Sequence, residues 1–149
     1  MFSFIVAMDE NKAIGYKNSL PWSNLDELNH FKQLTMNKVL IMGSKTFNNL
    51  PKTLKGRKIL VASKSLGDIK NLEGFLKNNI DSKEEYIIAG GKEIYTISYP
   101  FCKKAYVSFI KGKHQADTYF DSFDINDFEI IKQENHHSFD YFELKRKNM

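Results

Sequence analysis

One carboxylate in the stretch LPWSNLDELNHFK, Leu20 to Lys32, stands where a helix should be greasy. A helix starting near Asn24 and turning ~100° per residue places Leu25, Leu28, Phe31 and Leu34 on one face, with Glu27 between Phe31 and Leu34. Asp26, Asn29, His30 and Gln33 face the other way. An acid placed only to favour the helix macrodipole would sit like Asp26, on the polar side. Glu27 instead has to stay near water, find a partner or carry a large desolvation cost, which raises a carboxyl pKa. An acid of that kind suits a ligand that donates hydrogen bonds to it.

Leu28 and Phe31 adjoin Glu27 on the helix, and NLPKTLKGRK adds Leu50 and Leu54 before Arg57. An apolar channel with Glu27 at its inner end and Arg57 at its mouth fits an elongated ligand with a flat head and a carboxylate tail. Taken singly, Arg57 after Gly56 reads as a surface turn residue, and Trp22 after Pro21 as a packed loop aromatic. The combination favours the channel.

A second kind of chemistry is written at strand-to-helix junctions. VLIMGSKT ends a strand at Gly43 and opens a helix at Ser44, bringing Lys45, Thr46 and free backbone amides to one spot. IIAGGKEIY repeats the arrangement, with Gly90 and Gly91 open to unusual backbone conformations or close approach of a ligand. VASKS adds Ser63 and Lys64 at a third strand end. Neither a GxGxxG fingerprint nor a Walker loop is present, so the common nucleotide folds are disfavoured. Three phosphate-compatible ends still point to a dinucleotide.

These residues need a scaffold. Apolar runs rich in β-formers recur at FSFIVAM, KVLIMG, KILVAS, EYIIAG, AYVSFI, FEIIK and FDYFEL. Helical stretches separate the early ones: 24 to 35, Ser44 to Asn49, Ile69 to Asn78 and Lys92 to Tyr99. Such alternation predicts an α/β fold with a mainly parallel sheet covered on both faces, whose ligands bind beyond the carboxyl ends of the strands. The end, DFEIIKQENHHSFDYFELK, reads as an antiparallel hairpin at one edge.

With 149 residues, 42% of them apolar, the chain has the size of one domain with its own core, residues 1–149. No run is long enough to span a bilayer, and FSFIVAM has neither a basic leader nor a small-residue cleavage site, so it reads as a buried strand. The lone Cys102 makes no internal disulfide and no Cys/His spacing suggests a metal, so the expected compartment is the reducing cytoplasm. His136 and His137, in QENHHSFD, read as a solvated turn. A formal charge of +4 favours small anionic ligands, while no RNA-binding signature or basic helical stripe argues for nucleic acid, and nothing indicates a membrane surface.

From the first strand through AIGYKNSLPW, the acid-bearing helix, IMGSKTF, LKGRK, IIAGGKEIY and DTYF to the final hairpin, the pattern resembles the dihydrofolate reductase family in the family's own order. The resemblance implies an eight-stranded, mostly parallel sheet with about four flanking helices. It also implies NADPH-dependent reduction of 7,8-dihydrofolate to tetrahydrofolate in support of one-carbon metabolism and thymidylate synthesis. Hydride would pass from nicotinamide C4 to pterin C6 as N5 gains a proton, and Glu27 would grip the 2-amino group and N3 side of the pterin, with the Ser108 hydroxyl joining that network. Ile5, Ala7, Leu28, Phe31, Leu50 and Leu54 would line the substrate pocket, and Arg57 would pair with the carboxylate of the glutamate tail.

The same resemblance assigns Leu20 and Trp22, with Asn18 and Ser19, to the loop that closes over the nicotinamide, and Ile14 and Gly15 to the cofactor's wall. Gly43, Lys45, Thr46, Ala89 and Gly90 to Tyr95 (Gly90, Gly91, Lys92, Glu93, Ile94, Tyr95) would hold the cofactor. Ser63 and Lys64 would face the adenosine 2′-phosphate. Ser44 stands where the family often has arginine, and Ala89 where a larger aliphatic is usual. A small-molecule substrate, antifolate-type inhibitors and a monomer complete the family expectation. The riboflavin-pathway reductase shares fold and cofactor but gives no account of the helix acid combined with Arg57, and a single-strand nucleic-acid binder would need exposed stacking aromatics.

Overall fold

In the computed structural model, which describes residues 1–49 and 55–147, the first strand is buried at every residue except half-buried Ala7. The elements run β1 (Phe2–Met8), β2 (Ala13–Gly15), α1 (Leu25–Thr35), β3 (Val39–Gly43), α2 (Ser44–Asn48), β4 (Lys58–Ala62), α3 (Leu72–Asn78), β5 (Tyr86–Ile88), α4 (Lys92–Ser98), β6 (Cys102–Ile110), β7 (Thr118–Tyr119), β8 (Phe128–Asn135) and β9 (Phe139–Arg146). Seven strands form one sheet in the order β4-β3-β5-β1-β6-β9-β8. It is parallel from β4 to β6 and antiparallel through β9 and β8, the hairpin anticipated at the edge. Where the resemblance implies eight strands, seven make this sheet, and β2 and β7 pair with each other in a small separate ribbon.

Strand β1 shows why an unbroken apolar run was needed. Its alternate residues Phe2, Phe4, Val6 and Met8 enter one core, where Phe4 meets Phe120, Tyr99 and Phe128 at ring-centroid distances of 5.4, 5.8 and 6.0 Å. Ile5 points to the other face, packing with Leu40, Met42 and Ile87 beneath Phe31 and Leu34 of α1. Burying each such side chain stabilises the fold by roughly 1.5–3 kcal/mol. Strand β8 is the contrast: exposed over most of its length at the sheet edge, it carries a bulge between Ile130 and Lys132 in its pairing with β9.

Helix α1 begins where expected, but its inward stripe is turned. Glu27 is buried and Phe31 and Leu34 pack on the sheet, whereas Leu25 is 69% exposed. His30, expected on the polar side, lies edge-on to Tyr141 at 4.3 Å. The aromatic face of the hairpin draws the helix round towards His30, a surface that helical periodicity alone does not reveal. Asn24 caps the helix, its Oδ1 accepting from the Glu27 backbone amide at 3.0 Å, and its Nδ2 donates to Ser138 Oγ at 2.9 Å. Asn24→Ala therefore removes a cap and a tie to the hairpin together; a loss of about 1–2 kcal/mol in urea unfolding is expected, and an unchanged midpoint would show that neither bond matters.

A second departure is the start of α3. The stretch beginning at Ile69 is helical only from Leu72, because Asn71 caps it by accepting from the Gly74 amide at 3.0 Å. Ile69 instead extends beside β4, its amide donating to Val61 O and its carbonyl accepting from the Ser63 amide, each at 3.0 Å.

Candidate active site

The site arises from a strand that stops early. β5 pairs with β1 only as far as Phe4↔Ile88, and with β3 only to Ile41↔Ile88. β1 runs on to Met8, still paired to β6, and β3 runs on to Gly43, still paired to β4. The sheet thus parts above Ile88, at the carboxyl ends of its parallel strands. The Tyr95 hydroxyl donates to the Ile5 carbonyl at 2.7 Å, so a helix side chain satisfies a backbone acceptor on the bared side of β1. Around this parting lies a cleft of about 1480 Å³.

Glu27, buried at 7% exposure, lines the cleft, as do the apolar Ile5, Ala7, Leu28 and Phe31. Burial raises its pKa to about 7, and the Ser108 hydroxyl works against that rise. Ser108 is itself buried and does not line the cleft; it stands opposite Ala7 in the β1–β6 pairing, behind the carboxylate. Trp22 forms part of the wall, its buried Nε1 without a partner among the described residues, and Leu20, 53% exposed, also lines the cleft. The loop bearing them is held by a tight turn in which Lys17 and Asn18 have φ of 49° and 64°, closed by mutual bonds between Tyr16 and Ser19. Positive φ at both central residues is the form that matches strand twist, which asparagine adopts readily and lysine does not. Asn49 Nδ2 donates to Asn18 O at 3.2 Å, joining that turn to the end of α2 across the cleft.

The other arm of the cleft runs between two helix starts. Gly43 and Ser44 open α2, Gly91 and Lys92 open α4, and the Gly43 amide donates to Gly90 O at 2.9 Å. Gly90 has φ of +105°, and a Cβ there would come within 3.2 Å of the Tyr95 ring, so only glycine suits the position. The Gly90–Gly91 peptide is cis. Tyr95 is buried, stacks on Phe120 at 4.8 Å, and burial drives its phenol far above the usual range. Lys45 and Thr46 reach the cleft from α2, as do Glu93 and Ile94 from α4, and Ala89 precedes the glycine pair; Ser63 and Lys64 reach it from the end of β4. Ile14, Gly15, Asn18 and Ser19 complete its wall from the β2 side.

One expected residue of this set falls elsewhere. Arg57 does not line the cleft: its guanidinium donates to the carbonyls of Lys32 and Lys55 and to Thr35 Oγ1, binding the carboxyl end of α1. Leu50 and Leu54 lie outside the described residues. Conversely, Asn49, Ala62, Ser65, Lys70 and Thr118 line the cleft without having been assigned a role there, although NLPKTLKGRK, VASKS and DTYF contain all but Lys70. Ser65 closes VASKS beside Ser63 and Lys64, and Thr118 lies in DTYF, but its arrival at the cleft depends on the distant β2–β7 pairing.

The family description that fits this chain, dihydrofolate reductase, matches residues 1–146. The chain belongs to the dihydrofolate reductase family. The dihydrofolate reductase of Bacillus subtilis (strain 168) is 31% identical over 161 aligned residues, covering 99% of this chain and 96% of that protein. That of Mycoplasma pneumoniae is 34% identical, covering 89% and 90%. Among solved structures, Enterococcus faecalis dihydrofolate reductase complexed with NADP(H) and RAB-propyl superposes with a TM-score of 0.83 at 24% identity, covering 99% of this chain and 97% of that one, which establishes the dihydrofolate reductase fold.

Proposed function

We propose that this enzyme reduces 7,8-dihydrofolate to 5,6,7,8-tetrahydrofolate with NADPH. The observation that carries the reading is a carboxyl with a pKa near 7 at the apolar end of a cleft whose other arm passes between two helix starts. One end suits a flat nitrogen heterocycle and the other a pyrophosphate.

The residues fit the dinucleotide. A Cβ on Gly43 would come within 3.2 Å of Ile94, and one on Gly91 within 3.5 Å of Thr46 Oγ1, so both glycines keep the trough open to a phosphate. Lys45 with Thr46, and Lys64 with Ser63, supply charge and hydroxyls along it, and with Ser44 in place of arginine those two lysines carry the preference for NADPH over NADH. When bound, the cofactor supplies hydride at nicotinamide C4 for pterin C6.

The chain's own part is to align, shield and charge the substrate. Ile5, Ala7, Leu28 and Phe31 exclude water from the pterin, and Glu27 accepts hydrogen bonds from its 2-amino group and N3 side. Standing between its two charge states at neutral pH, Glu27 stabilises the protonated heterocycle, while the loop carrying Leu20 and Trp22 admits the water that brings the proton to N5. Ser108 orients the carboxylate. Arg57, fixed to the end of α1 beyond the cleft lining, receives the glutamate tail's carboxylate where that tail leaves the cleft. Antifolate-type inhibitors compete at Glu27, and the enzyme acts as a cytoplasmic monomer of one domain.

The test is the loss of NADPH absorbance by the purified protein with and without dihydrofolate. Oxidation only when dihydrofolate is present, and slower with NADH, is the expected result. No turnover by folded protein, or salt-sensitive oligonucleotide binding in its place, would refute the proposal.

A further inference from the structure

We propose that His30, Glu134 and His136 form a binding site for a divalent transition-metal ion of the zinc type, which clamps α1 to the C-terminal hairpin. The three side chains come from separate elements: His30 from α1, Glu134 from β8 and His136 from the turn that follows it. Their ligand atoms all lie within 4.8 Å of one another.

Glu134 Oε1 is the hub, 3.1 Å from His136 Nε2 and 3.5 Å from His30 Nε2. Four ligands at 2.0–2.1 Å from a tetrahedral zinc ion stand about 3.3 Å apart, and these two edges bracket that value. The third edge, between the two imidazoles, is within 4.8 Å, and coordination of one ion would shorten it. Two imidazoles and one carboxylate suit zinc, cobalt or nickel far better than magnesium or calcium, which prefer oxygen alone.

The surroundings hold the ligands ready. His30 is packed edge-on against Tyr141 and Phe139, and its buried Nδ1 has no hydrogen-bond partner among the described residues, while Nε2 faces Glu134. His136 stacks on Phe139, with ring planes 8° apart and centroids at 4.4 Å. Lys132 Nζ lies 3.1 Å from Glu134 Oε2, occupying the carboxylate oxygen that faces away from the imidazoles and leaving Oε1 to them. The sides of Glu134 and His136 open to solvent, where water can fill the remaining coordination. The adjacent His137 is exposed and has no part in the cluster.

The experiment titrates the purified, metal-free full chain with zinc chloride by calorimetry and follows its thermal unfolding. One ion per chain is expected, with Tm raised by about 5–10 °C when free zinc is 100-fold above Kd. His136→Asn and Glu134→Gln, both on the exposed hairpin, should weaken binding by at least ~100-fold, beyond what an outer-sphere partner contributes. Their Tm without metal separates this loss from unfolding. His137→Asn should bind zinc like the parent. Cobalt chloride should give a visible ligand-field band that the first two substitutions abolish. Absence of saturable one-to-one binding, or equal losses from His137→Asn and His136→Asn, would overturn the site and leave the cluster as an ion pair alone.

Discussion

Glu27→Gln should lower the rate of hydride transfer by roughly 10²–10³-fold while leaving the protein more stable than its parent at alkaline pH. Glutamine keeps the size and removes the charge, so the stabilisation of a protonated pterin is lost and the shape of the pocket remains. Single-turnover measurements across pH separate the two contributions. In the parent, the rate should fall about tenfold per pH unit above an apparent pKa near 7, because the carboxyl and heterocycle together must keep a proton that alkaline solution removes. The profile should flatten in the variant. Parent-like turnover in the glutamine variant, or a flat profile in the parent, would remove Glu27 from the mechanism.

The stability half has a definite sign. Burial raises the Glu27 pKa from 4.5 to about 7, so the folded protein holds this proton more tightly than the unfolded chain. The stability that follows is fully present below about pH 4.5 and is lost as pH rises through 7. Above that the native state has to keep an ionised carboxylate at 7% exposure with a hydroxyl as its neighbour, and glutamine escapes this. Urea unfolding at pH 8 should show the variant ahead by up to about 3 kcal/mol, and at pH 4 the difference should nearly vanish. Equal stability at both values would mean the carboxyl is not desolvated in solution.

Gly67→Ala should be nearly as damaging, at the opposite end of the cleft and for another reason. A Cβ there would stand 2.4 Å from the Ser63 amide nitrogen and 2.5 Å from the Val61 carbonyl oxygen, both backbone atoms. No side-chain rotation relieves such a clash, so the turn from Ser63 to Ile69 has to move. Its closing bonds, Ser63 N to Ile69 O at 3.0 Å and Gly67 N to Ser63 O at 3.3 Å, move with it. A loss of about 3 kcal/mol in unfolding free energy is expected. Because the turn presents Ser63, Lys64 and Ser65 to the cleft, the KM for NADPH should rise about tenfold, with that for dihydrofolate little changed. Equal rises in both constants would signal general loosening of the fold.

What could be read from the chain follows from how locally each feature is encoded. Strands covered on both faces must be apolar throughout, so FSFIVAM and KVLIMG announced β1 and β3 with no reference to their neighbours. Glu27 was legible as an anomaly, an acid inside a greasy stripe. The start of α3 was obscured because Ile69 is in phase with Leu72 and Leu76, yet the Asn71 cap and the backbone of β4 claim it first. The turn of α1 towards His30 depended on Tyr141 and Phe139, far away in the chain, and the same distance concealed the meeting of His30 with Glu134 and His136. Arg57 illustrates a third case: it was read as the partner of a ligand carboxylate, whereas its bonds to the Lys32 carbonyl and Thr35 hydroxyl at the end of α1 could not be read from its neighbours.

The brevity of β5 has a wider consequence. Had its chain continued straight for two or three more residues, the rungs between β1 and β3 would have zipped up to the top of the sheet, giving a sturdier molecule with a smooth crest and nowhere for a reactant to lodge. The molecule forgoes those rungs, and the glycine turn beyond Ile88 with a single tyrosine hydroxyl stands in for part of them. Catalytic capacity in this architecture begins as an interruption of regular structure, so substitutions that tidy the seam above Ile88 should harden the protein and silence it together.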